Sequence, residues 1–318
     1  MSGGNRLKTE ELSRHPLVSV ILTYYDHAEY LPETLQSLGG QTFTDFEVIL
    51  VDDRGKSNAG SSLALGEHPF PVRLLENESN LGLPSSRNGG AELASGRYLV
   101  FLDSDDCLDP RFLEETLKEL IAKNADGIYT LVQLFGDSTY LWEPECTLIN
   151  LLSGLPGPAT FLMKKEVFEQ CEGFKPHLLY NCDHEFWISA VEKGFQFKRL
   201  DKPLYRYRKH PQSLSTIRKD EWWQAIPRLI DEHRDLYAQH FGEILTAKEK
   251  QYREIEARHL ALYEHIYAQW KDADRRCAEL NAKYNALCES PYFRMYQFML
   301  ERKKQLKGLL SPGKSIRV

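Results

Sequence analysis

The sequence predicts an α/β fold over its first ~215 residues, followed by a purely helical extension. Three observations carry this. Short β-rich apolar runs alternate with segments of helical spacing up to about residue 215, the signature of an α/β domain. Two of those runs end in acidic clusters. Beyond Thr216 the strand-like runs stop, and Pro and Gly nearly vanish between Phe241 and Ser290.

The elements follow in order. Val18–Thr23 (VSVILT) is a short β-rich run suited to a buried strand. Leu31, Leu35 and Leu38 then repeat at helical spacing, with Pro32 where a helix start tolerates it. Phe46–Val51 is a second buried strand running into Asp52 and Asp53, and Val72–Leu75 a third. Ser85–Ala94 reads as a helix, although Gly89 and Gly90 weaken its intrinsic propensity. Tyr98–Leu102 is another strand, ending in Asp103-Ser104-Asp105-Asp106. Pro110–Lys123 is a helix, and Gly127–Val132 a further β-rich run.

In the extension, Tyr252, Ile255, His259, Leu262 and Ile266 recur at steps of 3–4, and Trp270, Ala273, Cys277, Leu280, Tyr284 and Leu287 continue the stripe after a slip. The slip resembles a coiled-coil stutter. The stripe over 252–287 suits either self-association or packing of a long helix onto the preceding domain. Ser290-Pro291 ends it. The tail that follows places Tyr292, Met295, Tyr296 and Met299 among Arg302, Lys303, Lys304 and Lys307, a composition shared by interfacial membrane anchors and by ordinary solvated surface helices. Four segments are expected: an N-terminal tail (1–16), an α/β domain (17–215), a long-helix extension (216–290) and a basic amphipathic tail (291–318).

Composition excludes several function classes. The 318 residues are 42% hydrophobic and 27% charged, which are globular proportions. The net charge of −6 argues against a nucleic-acid partner. That charge is uneven: Arg294–Val318 carries +6, so the remainder carries −12. Leu17–Leu22 falls far short of the ~20 apolar residues of a membrane span, and the first fifteen residues lack a signal-peptide core. A cytoplasmic location is expected. The six cysteines form no C-x-x-C pair, so neither a disulfide framework nor a zinc site is expected.

The acidic clusters point to chemistry. In open α/β sheets the ligand crevice lies beyond the carboxyl ends of the strands. Carboxylates there accept hydrogen bonds from a ribose or base, or hold a hard cation that neutralises phosphate oxygens. An isolated D-x-D is weak, because aspartates also cap turns; two acidic clusters ending two buried strands say more. No G-x-G-x-x-G follows the first strand and no P-loop is present, since Gly55-Lys56-Ser57 lacks the earlier glycine.

With these residues in place, the stretch from Leu17 to Ser215 resembles the inverting nucleotide-sugar glycosyltransferases of family 2. The pieces arrive in that family's order: Val18–Asp26, Gln41-Thr-Phe43, Val51-Asp-Asp53, Asn80-Leu-Gly82, Arg87-Asn88, Ala94–Tyr98, the D-x-D of Leu102–Asp106, Pro158–Phe161, Gly173-Phe174, Asn181–Trp187 and Leu204–His210 with Ser213 and Ser215. The resemblance implies the GT-A fold, a Rossmann-like mixed sheet. It implies that Thr23, Tyr25, Asp53, Asp103 and Ser104 border the donor nucleotide-sugar. Asp103, Asp105 and His210 would meet Mn²⁺ or Mg²⁺. Asp183 would be the general base that takes the acceptor hydroxyl's proton. Arg87 would contact phosphate or simply lie on a helix face, and Asp183 doubles as a candidate helix cap. Trp187 and Phe186 read as core, and Trp222-Trp223 as groove or interdomain packing.

Three residues depart from the family pattern: Cys182 where an acidic residue is common, Asp26 where Asn is common, and Arg54 where a small residue is usual. The expected reaction is metal-dependent, inverting transfer from a nucleotide-sugar, with UDP favoured by the resemblance, to a glycan or lipid-linked saccharide in cell-surface polysaccharide synthesis. Two rivals stand beside it: a nucleotidyltransferase, which would release pyrophosphate, and a non-catalytic assembly subunit.

Overall fold

A computed structural model of the chain describes residues 15–55, 66–214 and 219–290, with 294, 297, 298 and 300–302. Residues 1–14, Ser215, the side chains of Trp222 and Trp223, and most of the basic tail lie outside the described residues. The described chain divides into two compact units, with the break between Lys248 and Glu249.

The first unit is built on a nine-stranded mixed sheet. Its strands are β1 (Val18–Tyr24), β2 (Phe46–Asp52), β3 (Val72–Glu76), β4 (Tyr98–Asp103), β5 (Cys107–Leu108), β6 (Gly127–Gly136), β7 (Leu141–Trp142), β8 (Leu162–Lys164) and β9 (Phe197–Lys209). The order is β3-β2-β1-β4-β8-β6-β9-β5, with β7 on β6. β1 to β4 are mutually parallel, and β8 runs antiparallel between β4 and β6. β1 and β2 are buried on both faces, which explains why they read as continuous apolar runs.

Alternation through the pleat sorts their side chains into two cores. Val18, Val20, Leu22 and Tyr24 join one, with the buried stripes of α1 (Leu31–Gly39) and α3 (Phe112–Ala122). Ile21, Ile49 and Val51 join the other, with α2 (Leu83–Leu93), α5 (Lys165–Gln170) and α6 (Cys182–Glu192). Trp187 and Phe186 lie in this second core. The indole of Trp187 donates to the Pro158 carbonyl at 3.0 Å. α4 (Leu148–Leu152) packs nearby on α6.

The two glycines that weaken α2 by propensity have a packing reason. A Cβ on Gly90 would lie 2.6 Å from Ile21 Cγ2 and 2.9 Å from Val51 Cγ2. The helix therefore sits closer to β1 and β2 than any larger residue allows.

Helices α7 (Lys219–Glu232) and α8 (Arg234–Gln239) complete the first unit. His233, buried at their junction, binds Glu192 of α6 at 3.0 Å through Nδ1 and faces Glu185 of α6 at 3.4 Å through Nε2. Burial pushes its pKa down, but the two carboxylates outweigh this and raise it above the ordinary value. The last helix, α9 (Phe241–Glu289), is continuous for 49 residues. Among the described residues no helix is long and apolar enough to cross a membrane.

A raised folded-state pKa means that the charged form of His233 stabilises the fold. That stabilisation is complete below the unfolded imidazole's pKa and disappears as pH rises through the raised value. Urea midpoints measured from pH 6 upward should therefore fall with pH, and His233→Gln should flatten the profile. A wild-type profile already flat across this range would show that the ion pairs contribute nothing.

Candidate active site

The chain runs outward from β1 to β2 and β3, then returns to β4 on the other side of β1. This reversal is a topological switch point, where the loops beyond two neighbouring strands diverge and open a crevice. Thr23 and Asp103 are register partners at the carboxyl ends of β1 and β4. The Thr23 hydroxyl donates to Asp103 Oδ1 at 3.2 Å. The sheet topology alone therefore places the D-x-D at the crevice.

Asp53 is buried and organises the next loop. Its Oδ1 accepts from Asn77 Nδ2 and from the Leu81 amide, both at 2.8 Å, and its Oδ2 accepts from the Gly82 amide at 2.9 Å. Gly82 has φ +83°, a backbone that favours glycine, and leads directly into α2. Asp53 thus holds the segment that delivers Arg87. Tyr25 is exposed beside this rim, and Ser104 is buried beneath it. The Ser104 amide donates to the Thr23 carbonyl, and its own carbonyl accepts from Thr34 Oγ1.

Arg87 is 1% exposed. Its Nη2 donates to Asp103 Oδ1 at 2.8 Å, its Nη1 approaches Cys182 Sγ at 3.9 Å, and its guanidinium lies 5.3 Å from the centre of the Phe174 ring. Burial disfavours its charge, but Asp103, Cys182 and Asp183 together hold its pKa above the usual value. Asn88, the next residue, clamps Phe174 by a pair of hydrogen bonds to its backbone N–H and carbonyl. The two-residue motif Arg87-Asn88 thereby joins β4, α6 and the Gly173-Phe174 turn. Arg87 lies on the buried face of α2.

Asp183 stands in the first turn of α6, where Asn181 and not Asp183 is the N-cap. Its Oδ1 accepts from the His184 amide at 2.8 Å. It lines a cavity of about 480 Å³ together with Arg87 and Asp103. Tyr140, Trp142, Pro156 and Gly157, from the segment 138–158, line the same cavity, as do Tyr205 and Tyr207 of β9. Cys182, which replaces the common acidic residue, is buried; burial pushes its thiol up to about 12, so it stays neutral. The carboxylates acting on Arg87 are then those of Asp103 and Asp183.

Asp105 and His210 pair across the crevice, His210 Nε2 lying 3.0 Å from Asp105 Oδ2. Burial and the Asp103 carboxylate push Asp105 up, against the opposing influence of His210. His210 packs on Tyr30, with ring centroids 4.7 Å apart, and its buried Nδ1 finds no hydrogen-bond partner among the described residues. Among the described residues no three His, Cys, Asp or Glu side chains converge as a preformed metal cage. A carboxylate and an imidazole facing each other suit one side of a Mn²⁺ or Mg²⁺ shell, the rest coming from phosphate and water.

Sequence reasoning missed Asp106, Tyr205 and Arg208. The Tyr205 hydroxyl and the Arg208 amide both donate to the Asp106 carboxylate, and Arg208 Nε donates to the Asp105 carbonyl. This set ties the D-x-D turn to β9 and so fixes where His210 emerges. Burial, with the neighbouring Asp105 and Asp103, pushes Asp106 well above the usual range. The sequence signals were a third aspartate in the cluster and the place of Tyr205 and Arg208 within the Leu204–His210 motif, neither of which shows the contact between them. The segments carrying the two unusual rim residues approach each other at Gly55. Asp26 and Arg54 both adopt left-handed backbone (φ +57° each), and Gly55 packs so close to Asp26 that a Cβ would lie 2.8 Å from its amide nitrogen.

The family model described as Glycosyl transferase family 2 matches residues 19–175. The chain is 32% identical over 232 residues to the glycosyltransferase GlyG of Streptococcus pneumoniae, covering 65% of this chain and 75% of GlyG. It is 28% identical to the putative teichuronic acid biosynthesis glycosyltransferase TuaG of Bacillus subtilis, covering 71% of this chain and 90% of TuaG. In fold it is similar to the S. aureus TarS fragment 1-349 crystallised with UDP-GlcNAc, with a TM-score of 0.55, 22% identity, and coverage of 62% of this chain and 59% of that one. The chain belongs to the family 2 glycosyltransferases and has their GT-A-like fold.

Arg87 is the joint of the site. Removing one partner of a buried ion pair leaves an uncompensated charge and costs about 3–5 kcal/mol. Arg87→Ala should lower the unfolding free energy by that order, as read from urea titration, and Arg87→Lys should restore only part of it. A loss below about 1 kcal/mol, the range of an exposed pair, would show that the guanidinium is not holding β4 to α6.

Proposed function

We propose that this family 2 glycosyltransferase is a metal-dependent, inverting enzyme that moves a sugar from a nucleotide-sugar donor to a hydroxyl of a glycan or lipid-linked saccharide. The observation that carries the reading is that Asp103 and Asp183 line one cavity on either side of buried Arg87, with Asp105 and His210 just beyond Asp103. Such a site has a donor end and an acceptor end. Thr23, Tyr25, Asp53 and Ser104 surround the nucleotide at the first.

Asp105 and His210 would hold Mn²⁺ or Mg²⁺, which when bound neutralises the departing nucleoside diphosphate. Asp183, at the acceptor end, takes the proton from the attacking hydroxyl, because an alcohol is a poor nucleophile until a base accepts that proton. The hydroxyl oxygen bonds to the anomeric carbon as the carbon–oxygen bond to the diphosphate breaks. Direct displacement of this kind inverts the anomeric configuration. Arg87, buried beside Asp183, supplies a fixed positive charge at that end of the cavity.

UDP is the favoured nucleotide; the fold-level similarity to a chain bound to UDP-GlcNAc is in keeping with it. Cell-surface polysaccharide synthesis is the favoured setting, supported by relatives named for teichuronic acid and amylovoran biosynthesis. The basic amphipathic tail would place the enzyme at the inner face of a membrane, where a lipid-linked acceptor lies.

Two experiments test this. Incubation with Mn²⁺ and a panel of UDP-, GDP-, dTDP- and CMP-sugars should give slow nucleotide release from one donor. Asp105→Ala and Asp183→Asn should each reduce that release by on the order of 10²-fold or more, the scale of a lost acid–base group. Release unaffected by both substitutions would remove the assigned site. Separately, flotation with phosphatidylglycerol vesicles should be lost on deletion of Tyr292–Val318 while donor hydrolysis persists. Equal flotation of the shortened chain would rule out the tail as an anchor.

A further inference from the structure

The second unit presents a long apolar stripe to water. In α9, Tyr252, Ile255, Leu262, Ile266, Trp270 and Leu280 are 69%, 41%, 56%, 55%, 60% and 66% exposed. Most helical stability in water comes from burying such a stripe. Its described part runs from Tyr252 to Leu280, about 42 Å at the helical rise of 1.5 Å per residue. Its steps of three and four fit coiled-coil positions a and d, with one four-residue insertion between Ile266 and Trp270. At that insertion Tyr263, Tyr267 and Trp270 stack along the helix, so the stripe stays continuous across the change of phase.

The residues beside the stripe decide what covers it. On one flank, at the g positions, stand Arg258, His265, Arg276 and Lys283, with no acidic residue among them. On the other flank, at the e positions, stand Glu256 and Asp274, with no basic residue. In a parallel pair of identical helices, g of one faces e of the other. Arg258 then meets Tyr263 of the second copy, the neighbouring glutamines meet Glu256 and Asp274, and no like charges oppose each other. In an antiparallel pair g faces g, and the basic row lies on itself.

We infer that residues 252–287 form a parallel two-stranded coiled coil with a second copy of this chain. The pairing is independent of the catalytic reading.

Cys277 makes the orientation measurable. It is exposed and occupies an a position. In a parallel coil in register it faces Cys277 of the second copy, within the reach of a disulfide. Sedimentation of the full chain under reducing conditions should give twice 36.8 kDa. Oxidation by diamide, which takes up the two electrons and two protons of the thiol pair, should then yield a covalent dimer linked through Cys277, lost in Cys277→Ser. Leu262→Glu with Leu280→Glu should sediment as a monomer and keep its nucleotide release. A monomeric wild-type chain, with the stripe covered by its own tail, would overturn the inference. So would a dimer that oxidation does not link through Cys277, or one that survives the double substitution.

Discussion

A single buried guanidinium holds the two halves of the active site together. Arg87 binds Asp103 at the end of β4 and approaches Cys182 and Asp183 at the start of α6. A full positive charge in a buried position is tolerated only with such partners. It can reach them because Asp53 fixes the turn before α2 and because Gly90 lets α2 sit against β1 and β2. Asp103 and Asp183 thus share one cation. Their separation is set by the packing of one helix.

The same logic gives the third aspartate of the cluster its place. Asp103 faces Arg87, Asp105 faces His210, and Asp106 is buried against Tyr205 and the Arg208 amide. Three like-charged groups within four residues would repel if all were alike in environment. They are instead divided between an ion pair, an open face and a buried hydrogen-bonded pocket. Burial, with the neighbouring Asp105 and Asp103, pushes Asp106 well above the usual range. Asp105 is only partly exposed and faces the His210 imidazole.

Much of this was legible in the sequence, for definite reasons. β1, β2 and β4 are buried on both faces, so they stand out as apolar runs, and the acidic clusters that follow β2 and β4 mark their carboxyl ends. The order of family motifs pointed to Asp183 and His210 although neither carries a local signal. Other features lay beyond it. β9 alternates charged and aromatic residues along Phe197–Lys209 and has no apolar run to reveal it. The Asp106–Tyr205 contact spans 99 residues, and no spacing rule reaches that far. The burial of Arg87 was hidden because an arginine on a helix is normally solvated, and its partners come from two other elements.

The division of labour between Asp105 with His210 at one end and Asp183 at the other is the centre of this account. Electron spin-echo spectroscopy of the protein loaded with Mn²⁺ and UDP tests it directly. The account predicts a ¹⁴N coupling from an imidazole bound to the Mn²⁺, absent in His210→Gln and retained in Asp183→Asn. A nucleotide-bound Mn²⁺ with no nitrogen coupling in the wild type, or one whose coupling survives His210→Gln, would contradict it.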